Sequence, residues 1–144
     1  MQMIWQNAMA FDSCLYGLEA LGTMRIEKGH VTGAELDGRT TIDDVGLGRM
    51  ASANKDFIGK SLRSRQMLAS PNRPQLVGIF PKDKSKKFSA GGLLNEAGKT
   101  NSHPLGWVTA VTYSPALGHW IALGFIEGGL QNTKDKQIIL TDEL

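Results

Sequence analysis

Residues 107–125, WVTAVTYSPALGHWIALGF, decide the fold of this chain. Two runs that are rich in β-branched and aromatic residues, 107–113 and 119–125, flank the sequence Ser-Pro-Ala-Leu-Gly at 114–118. Such runs favour strands, and a short connection that contains proline and glycine is typical of a hairpin. The stretch therefore predicts a pair of antiparallel strands in the second half of the chain.

Two further strands are predicted around this hairpin, at 75–80 and at 137–141. Just before the first of them, residues 70–74 read Ser-Pro-Asn-Arg-Pro. Two prolines and small polar residues favour an extended linker, so this is the best domain boundary in the sequence. We predict an α+β chain, with a mixed α/β segment at 1–70 and an antiparallel β domain at 71–144.

The segment before the linker carries helix patterns and one strand pattern. Residues 4–15 are amphipathic with a helical period and are followed by Gly17, which predicts a helix that ends there. Residues 24–28 predict a strand. A capping-box pattern predicts a short helix at 41–46, and residues 59–69 predict another.

Composition places the chain among globular proteins. Of its 144 residues, 41% are hydrophobic and 21% are charged, and the net charge of +2 is too small to indicate a nucleic-acid partner. The single cysteine, Cys14, allows no intrachain disulfide, and we expect it to be a buried, inert thiol. The sequence shows neither a signal peptide nor an apolar run of the roughly 20 residues that span a bilayer. We therefore expect a cytoplasmic protein without a membrane partner.

Residues 21–41, LGTMRIEKGHVTGAELDGRTT, carry the most informative chemistry. On the predicted strand, Arg25 and Glu27 lie on one face, and a glycine-rich loop follows them. An ionised carboxylate offers only hydrogen-bond acceptors, so Glu27 is suited to the N–H edge of a heterocycle. The alternative is an ordinary surface strand, on which Arg25 and Glu27 neutralise each other.

The remaining motifs give weaker signals. No catalytic nucleophile elbow, dinucleotide fingerprint or phosphate-binding loop is present, and the three histidines are too scattered for a metal site. A lysine cluster is suited to an anionic tail or a phosphate, but a solvated loop is the favoured interpretation: Lys82, Lys84, Lys86 and Lys87. Four aromatic residues are expected in the β core, where one of them is also placed to line a ligand pocket: Trp107, Tyr113, Trp120 and Phe125.

Several separate motifs resemble one family, in the same order along the chain. They are RIEKGHVTGAELDGRTT at 25–41, DFIGK at 56–60, QLVG at 75–78, GWVTAVTYSP at 106–115 and IALGFI at 121–126. Together, over about residues 15–129, they resemble the glycine cleavage T-protein (aminomethyltransferase) superfamily. Within it, the phrase at 25–41 is most similar to the C-terminal part of the α subunit of heterotetrameric sarcosine oxidase.

The resemblance implies a tetrahydrofolate-binding fold that is followed by a small β-barrel or jelly-roll-like domain. Members of the family transfer a one-carbon unit to tetrahydrofolate and give 5,10-methylenetetrahydrofolate. Glu27 matches the family glutamate that holds the pterin N–H edge, and Arg25 would position or balance it. The resemblance also gives three weaker folate-binding candidates: Tyr16, Arg49 and Lys55.

The resemblance places the catalytic aspartate in a segment that precedes the matched residues, so we predict no catalytic residue here and an inactive isolated chain. Flavin and NAD are expected only in other parts of a complete enzyme, and the expected partners are folate and the other subunits of a hetero-oligomeric sarcosine oxidase. Two alternatives stay open. One is a non-catalytic subunit-interaction module, and the other is a fragment of a glycine cleavage aminomethyltransferase.

Overall fold

One antiparallel sheet organises the second half of the chain. The structure is a computed structural model that describes residues 1–99, 103–134 and 136–141. The strands are β1 (Pro74–Ile79), β2 (Leu93–Glu96), β3 (Gly106–Ser114), β4 (His119–Glu127) and β5 (Ile138–Thr141). They pair in the order β1-β4-β3-β2-β5. The small antiparallel sheet fits a C-terminal barrel domain, as expected for the second half of the chain.

The hairpin of β3 and β4 is the centre of this sheet and confirms the sequence prediction. The two nine-residue strands pair from Gly106 and Ile126 to Ser114 and His119. The strands predicted at 75–80 and 137–141 are also present, as β1 and β5. Strand β2 was not predicted, because its four residues are too short to give a periodic signal. It pairs with β3 on one side and with β5 on the other.

Apolar side chains cover both faces of the sheet. One face carries the larger cluster of buried residues: Val77, Phe88, Leu94, Val108, Ala122 and Ile126. On the other face, Ile26 packs on Ala110, Ile121 and Leu123. Because β4 is covered on both faces, it reads as a nearly continuous apolar run and not as an alternating one.

The prediction of an aromatic core is confirmed only in part. Phe125 is buried, and Trp120 is half-buried against the larger cluster. Trp107 and Tyr113 keep 39% and 47% of their surface exposed, so they are not core residues.

The strand predicted at 24–28 is wrong, because these residues end an α-helix. The first half contains α1 (Gln2–Ala8) and α2 (Leu18–Lys28), and a third helix, α3 (Gly129–Thr133), follows β4. The sequence of α2, LEALGTMRIEK, consists mostly of strong helix formers, and alternation over five residues was too short to outweigh them. Gly29, with φ +76°, ends the helix through N–H bonds to the carbonyls of Arg25 and Ile26.

The helix predicted at 4–15 is also shorter than expected. After α1, one 3₁₀ turn (Met9–Phe11) leads to Asp12, whose φ of +51° lies in the left-handed region and ends the helical stretch. Residues 13–17 are therefore not helical. Cys14 is exposed, so the prediction of a buried thiol is wrong.

Neither of the two other segments that were predicted as helices forms an α-helix. Over 59–69 the structure has one 3₁₀ helix, Lys60–Ser64. At 41–46 the capping-box bonds form, since the Thr41 N–H donates to Asp44 Oδ2 (2.8 Å) and the Asp44 N–H donates to Thr41 Oγ1 (3.3 Å). They close a turn that ends at Gly46, where φ is +75°, and no α-helix forms at 41–46.

The linker at 70–74 joins two parts that contact each other. Arg73 donates both Nε and Nη2 to the buried Asp44, and the Asp44 carbonyl accepts the N–H of Leu76 (2.7 Å). Burial raises the pKa of Asp44, but hydrogen bonds from Arg73 and Thr41 outweigh this effect and hold it below its usual value. The division into domains at 1–70 and 71–144 stays a prediction.

Candidate functional site

An open groove lies between α2 and the β3–β4 hairpin and has a volume of about 1060 Å³. Helix α2 crosses the sheet at this point because Ile26 is its buried anchor. The exposed face of the helix then forms one wall, and the upper half of the hairpin forms the other. Polar and aromatic side chains from both walls line the groove: Thr23, Arg25, Glu27, Thr112, Tyr113 and Trp120.

Glu27 lies in the last turn of α2, at the hairpin end of the groove. Its Oε1 accepts a hydrogen bond of 2.6 Å from the hydroxyl of Ser114, which is the last residue of β3. Among the residues that the structure describes, no donor bonds to Oε2 and no cation forms an ion pair with this carboxylate. Glu27 therefore has one fixed oxygen and one that is available to a ligand.

Arg25 lines the groove but is bound to another carboxylate. Its Nη1 lies 2.9 Å from Oε2 of Glu35, and its side chain is only 17% exposed. The surface-strand alternative, in which Arg25 and Glu27 neutralise each other, is wrong. Arg25 and Glu27 are two positions apart on a helix and do not share a face.

Glu35 is the buried polar residue that sequence reasoning missed. Only 1% of its surface is exposed, and its carboxylate accepts bonds from the Thr32 N–H (2.8 Å), the Thr109 hydroxyl (2.7 Å) and Arg25. Burial raises the pKa of Glu35, but these hydrogen bonds together hold it below its usual value of 4.5. A signal was present, because Thr32 and Glu35 have the spacing of a capping box.

Two aromatic rings stand at the groove. Tyr113 and Trp120 pair across β3 and β4 with ring centroids 5.8 Å apart in an edge-to-face arrangement. Lys87 places its Nζ 4.8 Å from the centre of the Trp120 ring. The expectation that one of the four aromatic residues lines a pocket is met by both rings.

The three weaker site predictions are not brought together with Glu27. Tyr16 is 64% exposed just before α2, Arg49 is exposed in a 3₁₀ turn (Gly48–Met50), and Lys55 is exposed in a loop. None of these three lines the groove. Their contact with folate stays a prediction.

The groove offers a specific kind of chemistry. It combines a carboxylate acceptor with aromatic surface, which suits a flat ligand that carries N–H donors. Over the described residues, no three side chains of the metal-binding types lie close enough together to hold a metal ion. The longest helix described there, α2, has 11 residues, far fewer than the roughly 20 that cross a bilayer, and no other helix qualifies.

Comparison with known proteins identifies the family. Residues 75–141 match the model of the glycine cleavage T-protein C-terminal barrel domain. The chain is 41% identical over 128 residues to the sarcosine oxidase subunit alpha of Rhizobium meliloti (strain 1021). This alignment covers 87% of this chain and 13% of that protein. It is 34% identical over 135 residues to the sarcosine oxidase subunit alpha of Corynebacterium sp. (strain U-96), covering 88% and 14%.

An aminomethyltransferase, from Synechococcus sp. (strain CC9902), is 30% identical over 132 residues, covering 90% of this chain and 34% of that protein. The chain thus spans about a seventh of the alpha subunits' length and about a third of the aminomethyltransferase. The motifs quoted from the sequence predicted both kinds of relative. Residues 75–141 thus belong to the glycine cleavage T-protein C-terminal barrel domain family, and the chain as a whole is similar to the T-protein C-terminal region of the sarcosine oxidase alpha subunit.

Proposed function

We propose that this chain is the tetrahydrofolate-binding portion of a sarcosine oxidase alpha-like subunit. In the complete enzyme it would support transfer of one carbon from oxidised sarcosine to tetrahydrofolate. The ligand supplies the nitrogen that accepts the carbon, and the residues of this chain bind and orient the ligand. Flavin, NAD and the partner subunits belong to other parts of that assembly.

The geometry of Glu27 carries the proposal. Its Oε1 is fixed by Ser114, while Oε2 accepts no bond from the described residues. The edge of a reduced pteridine presents neighbouring N–H donors, and a carboxylate accepts such a pair bidentately, here through Oε2 and through the second lone pair of Oε1. Because Arg25 is bound to Glu35, it does not compete with a ligand for Glu27.

The surroundings of Glu27 are consistent with a flat, partly apolar ligand. Tyr113 and Trp120 offer ring surface in the same groove, and its volume of about 1060 Å³ leaves room for more than a single heterocycle. Cavities of roughly 300–1,000 Å³ are typical for ligands of this size. Positioning is then the main contribution of this part of the protein.

Calorimetric titration of the full chain with tetrahydrofolate tests the proposal. We expect Glu27→Gln to weaken binding about 10- to 100-fold, which corresponds to losing one charge-assisted hydrogen bond of about 1.5–3 kcal/mol. In the complete enzyme the same change should leave flavin reduction by sarcosine intact, because it alters only the folate site.

The control is Glu127→Gln, which makes the same chemical change at an exposed position at the end of β4, outside the groove. It should bind as tightly as the wild type. Equal affinities of Glu27→Gln and the wild type would show that Glu27 does not hold the ligand. No heat of binding to the wild-type chain would refute the folate proposal as a whole.

A non-catalytic interaction module is the second candidate, and the N-terminal segment favours it. Helix α1 packs mainly on the 3₁₀ turn that follows it, and it contributes no buried residue. Large apolar side chains are exposed through this segment: Met3, Ile4, Met9, Phe11, Leu15 and Leu18. Sedimentation of the chain with and without tetrahydrofolate, combined with the calorimetric titration, separates the two candidates. Self-association without any heat of folate binding supports the module.

A further inference from the structure

We propose that Ser114 is a positioning residue that fixes the Glu27 carboxylate in the orientation a ligand's N–H groups require. The inference deepens the proposed folate site and rests on it. No feature of the sequence links these two residues, which are 87 positions apart. The contact exists only because the hairpin and the end of α2 converge.

The hydrogen-bond pattern gives the Ser114 hydroxyl a defined orientation. Its side chain is fully buried, and its Oγ accepts a bond of 3.1 Å from the N–H of Leu117 in the hairpin turn. A hydroxyl has one proton and two lone pairs. Because the Leu117 amide occupies a lone pair, the single proton is left for Oε1 of Glu27 at 2.6 Å. The amide therefore orients the hydroxyl, and the hydroxyl orients the carboxylate.

Both ends of this contact lie on fixed backbone. The Ser114 carbonyl accepts the N–H of Gly118 (2.9 Å), whose φ of +71° closes the hairpin turn. Glu27 precedes Gly29, which ends α2 with two N–H bonds to carbonyls of the last turn. A site that is built on a strand end and a helix end holds its geometry better than one built on two loops.

The contact is short for a hydrogen bond. A separation of 2.6 Å is typical of O–H···O⁻ bonds, which are stronger than bonds between neutral groups. Without it, an exposed glutamate on the helix surface would sample several rotamers, and a ligand would have to select one of them. We therefore expect Ser114→Ala to weaken tetrahydrofolate binding about tenfold.

A double-mutant cycle with Glu27 tests whether Ser114 acts through the carboxylate. Affinity for tetrahydrofolate is measured for the full chain as wild type, Ser114→Ala, Glu27→Ala and the double variant, because alanine at position 27 leaves no oxygen for Ser114 to orient. If Ser114 positions Glu27, the serine change costs about tenfold in the wild type and less than about twofold when Glu27 is already replaced by alanine. Equal losses in both backgrounds would make Ser114 a merely structural residue and overturn the inference.

A second measurement needs no ligand and keeps the inference separate from the folate proposal. With ¹³C-labelled glutamate, the Glu27 carboxylate resonance is the one that Glu27→Gln removes. It should move in Ser114→Ala and in Ser114→Cys, since a thiol is nearly the size of the hydroxyl but a weak donor. Thr141→Val deletes a hydroxyl that bonds to Asn95 between β2 and β5, away from the groove, and should leave the resonance in place.

The outcomes of the two measurements are distinct. If the wild-type chain binds no tetrahydrofolate, the proposed function falls and the carboxylate resonance alone decides the role of Ser114. If the chain binds tetrahydrofolate but Ser114→Ala changes neither affinity nor resonance, the inference is overturned while the folate site stands. A shifted resonance with a loss that depends on Glu27 supports the inference.

Discussion

Replacing Glu35 by alanine or by glutamine should have very different effects on stability, because the residue is buried among donors. Its side chain has no exposed surface and accepts bonds from Thr32, Thr109 and Arg25. Alanine removes every acceptor at once. Glutamine keeps the shape and one acceptor oxygen, but it removes the negative charge.

The magnitudes follow from which donors are left without a partner. In Glu35→Ala, the Thr109 hydroxyl can still donate to the Leu123 carbonyl at 3.1 Å. Arg25 Nη1 keeps only its longer bond of 3.3 Å to the His30 carbonyl, and the Thr32 N–H loses its acceptor. An orphaned donor costs about 1–3 kcal/mol, and breaking a buried ion pair costs about 3–5 kcal/mol in all. We therefore expect a loss of about 4 kcal/mol in the free energy of unfolding.

In Glu35→Gln, the donors that bond the carboxylate in the wild type need not lose their acceptors. The amide oxygen can accept from Thr32 and Arg25, and the amide NH₂ can donate to Thr109, whose own proton turns to the Leu123 carbonyl. Only the charge assistance is lost, at about 1–2 kcal/mol. The glutamine variant should therefore be about 2–3 kcal/mol more stable than the alanine variant.

Urea unfolding of the full chain, followed by circular dichroism, measures both differences. In thermal unfolding, the alanine variant should melt about 10 °C below the wild type, since 1 kcal/mol shifts the midpoint by roughly 2–4 °C at this chain length. If the two variants were equally destabilised, charge and not donor satisfaction would dominate. If alanine cost less than about 1 kcal/mol, the network would not hold the loop to the sheet.

Two further predictions concern acid pH and glycine. Because the folded pKa of Glu35 lies below its usual 4.5, its stabilising effect is complete above about pH 4.5 and is lost as pH falls through the folded value. The stability difference between wild type and Glu35→Gln should therefore shrink in urea titrations below pH 4.5, and a constant difference would contradict the assignment. Gly106→Ala should cost about 3 kcal/mol or more, because its Cβ would collide with the Phe125 carbonyl. Gly22→Ala, within α2, meets no atom within 4 Å and should instead gain about 0.5–1 kcal/mol in unfolding measurements.

The β half of the fold could be predicted from the sequence because its signals are local. Two β-rich runs, joined by a turn that contains Pro115 and Gly118, predict the β3–β4 hairpin. Pro74 at the start of β1 marks where the linker gives way to the sheet. Strand β2 was not predicted, because its four residues form a strand through pairing with β3 and β5 and carry no periodic pattern of their own.

The first half was harder to predict, because short patterns there fit both the period of a strand and the period of a helix. Thr23, Arg25 and Glu27 alternate as a strand would, but the eleven residues of α2 as a whole favour a helix. At 41–46, the bonds between Thr41 and Asp44 form as the capping-box pattern predicts. No α-helix forms there, since what comes after a cap depends on the packing of the next residues and not on the cap itself.

The helical setting of Glu27 changes how its site must be understood. On a strand, Arg25 would have been the nearest charge on the same face, whereas on the helix it turns toward the buried Glu35. In the groove, the Glu27 carboxylate therefore accepts one side-chain hydrogen bond from the described residues. Its donor is the hydroxyl of Ser114, which lies 87 positions later in the sequence. The family motif points to Glu27 as a ligand residue, and the packing of α2 on the sheet leaves Oε2 of that glutamate without a bond to any described residue.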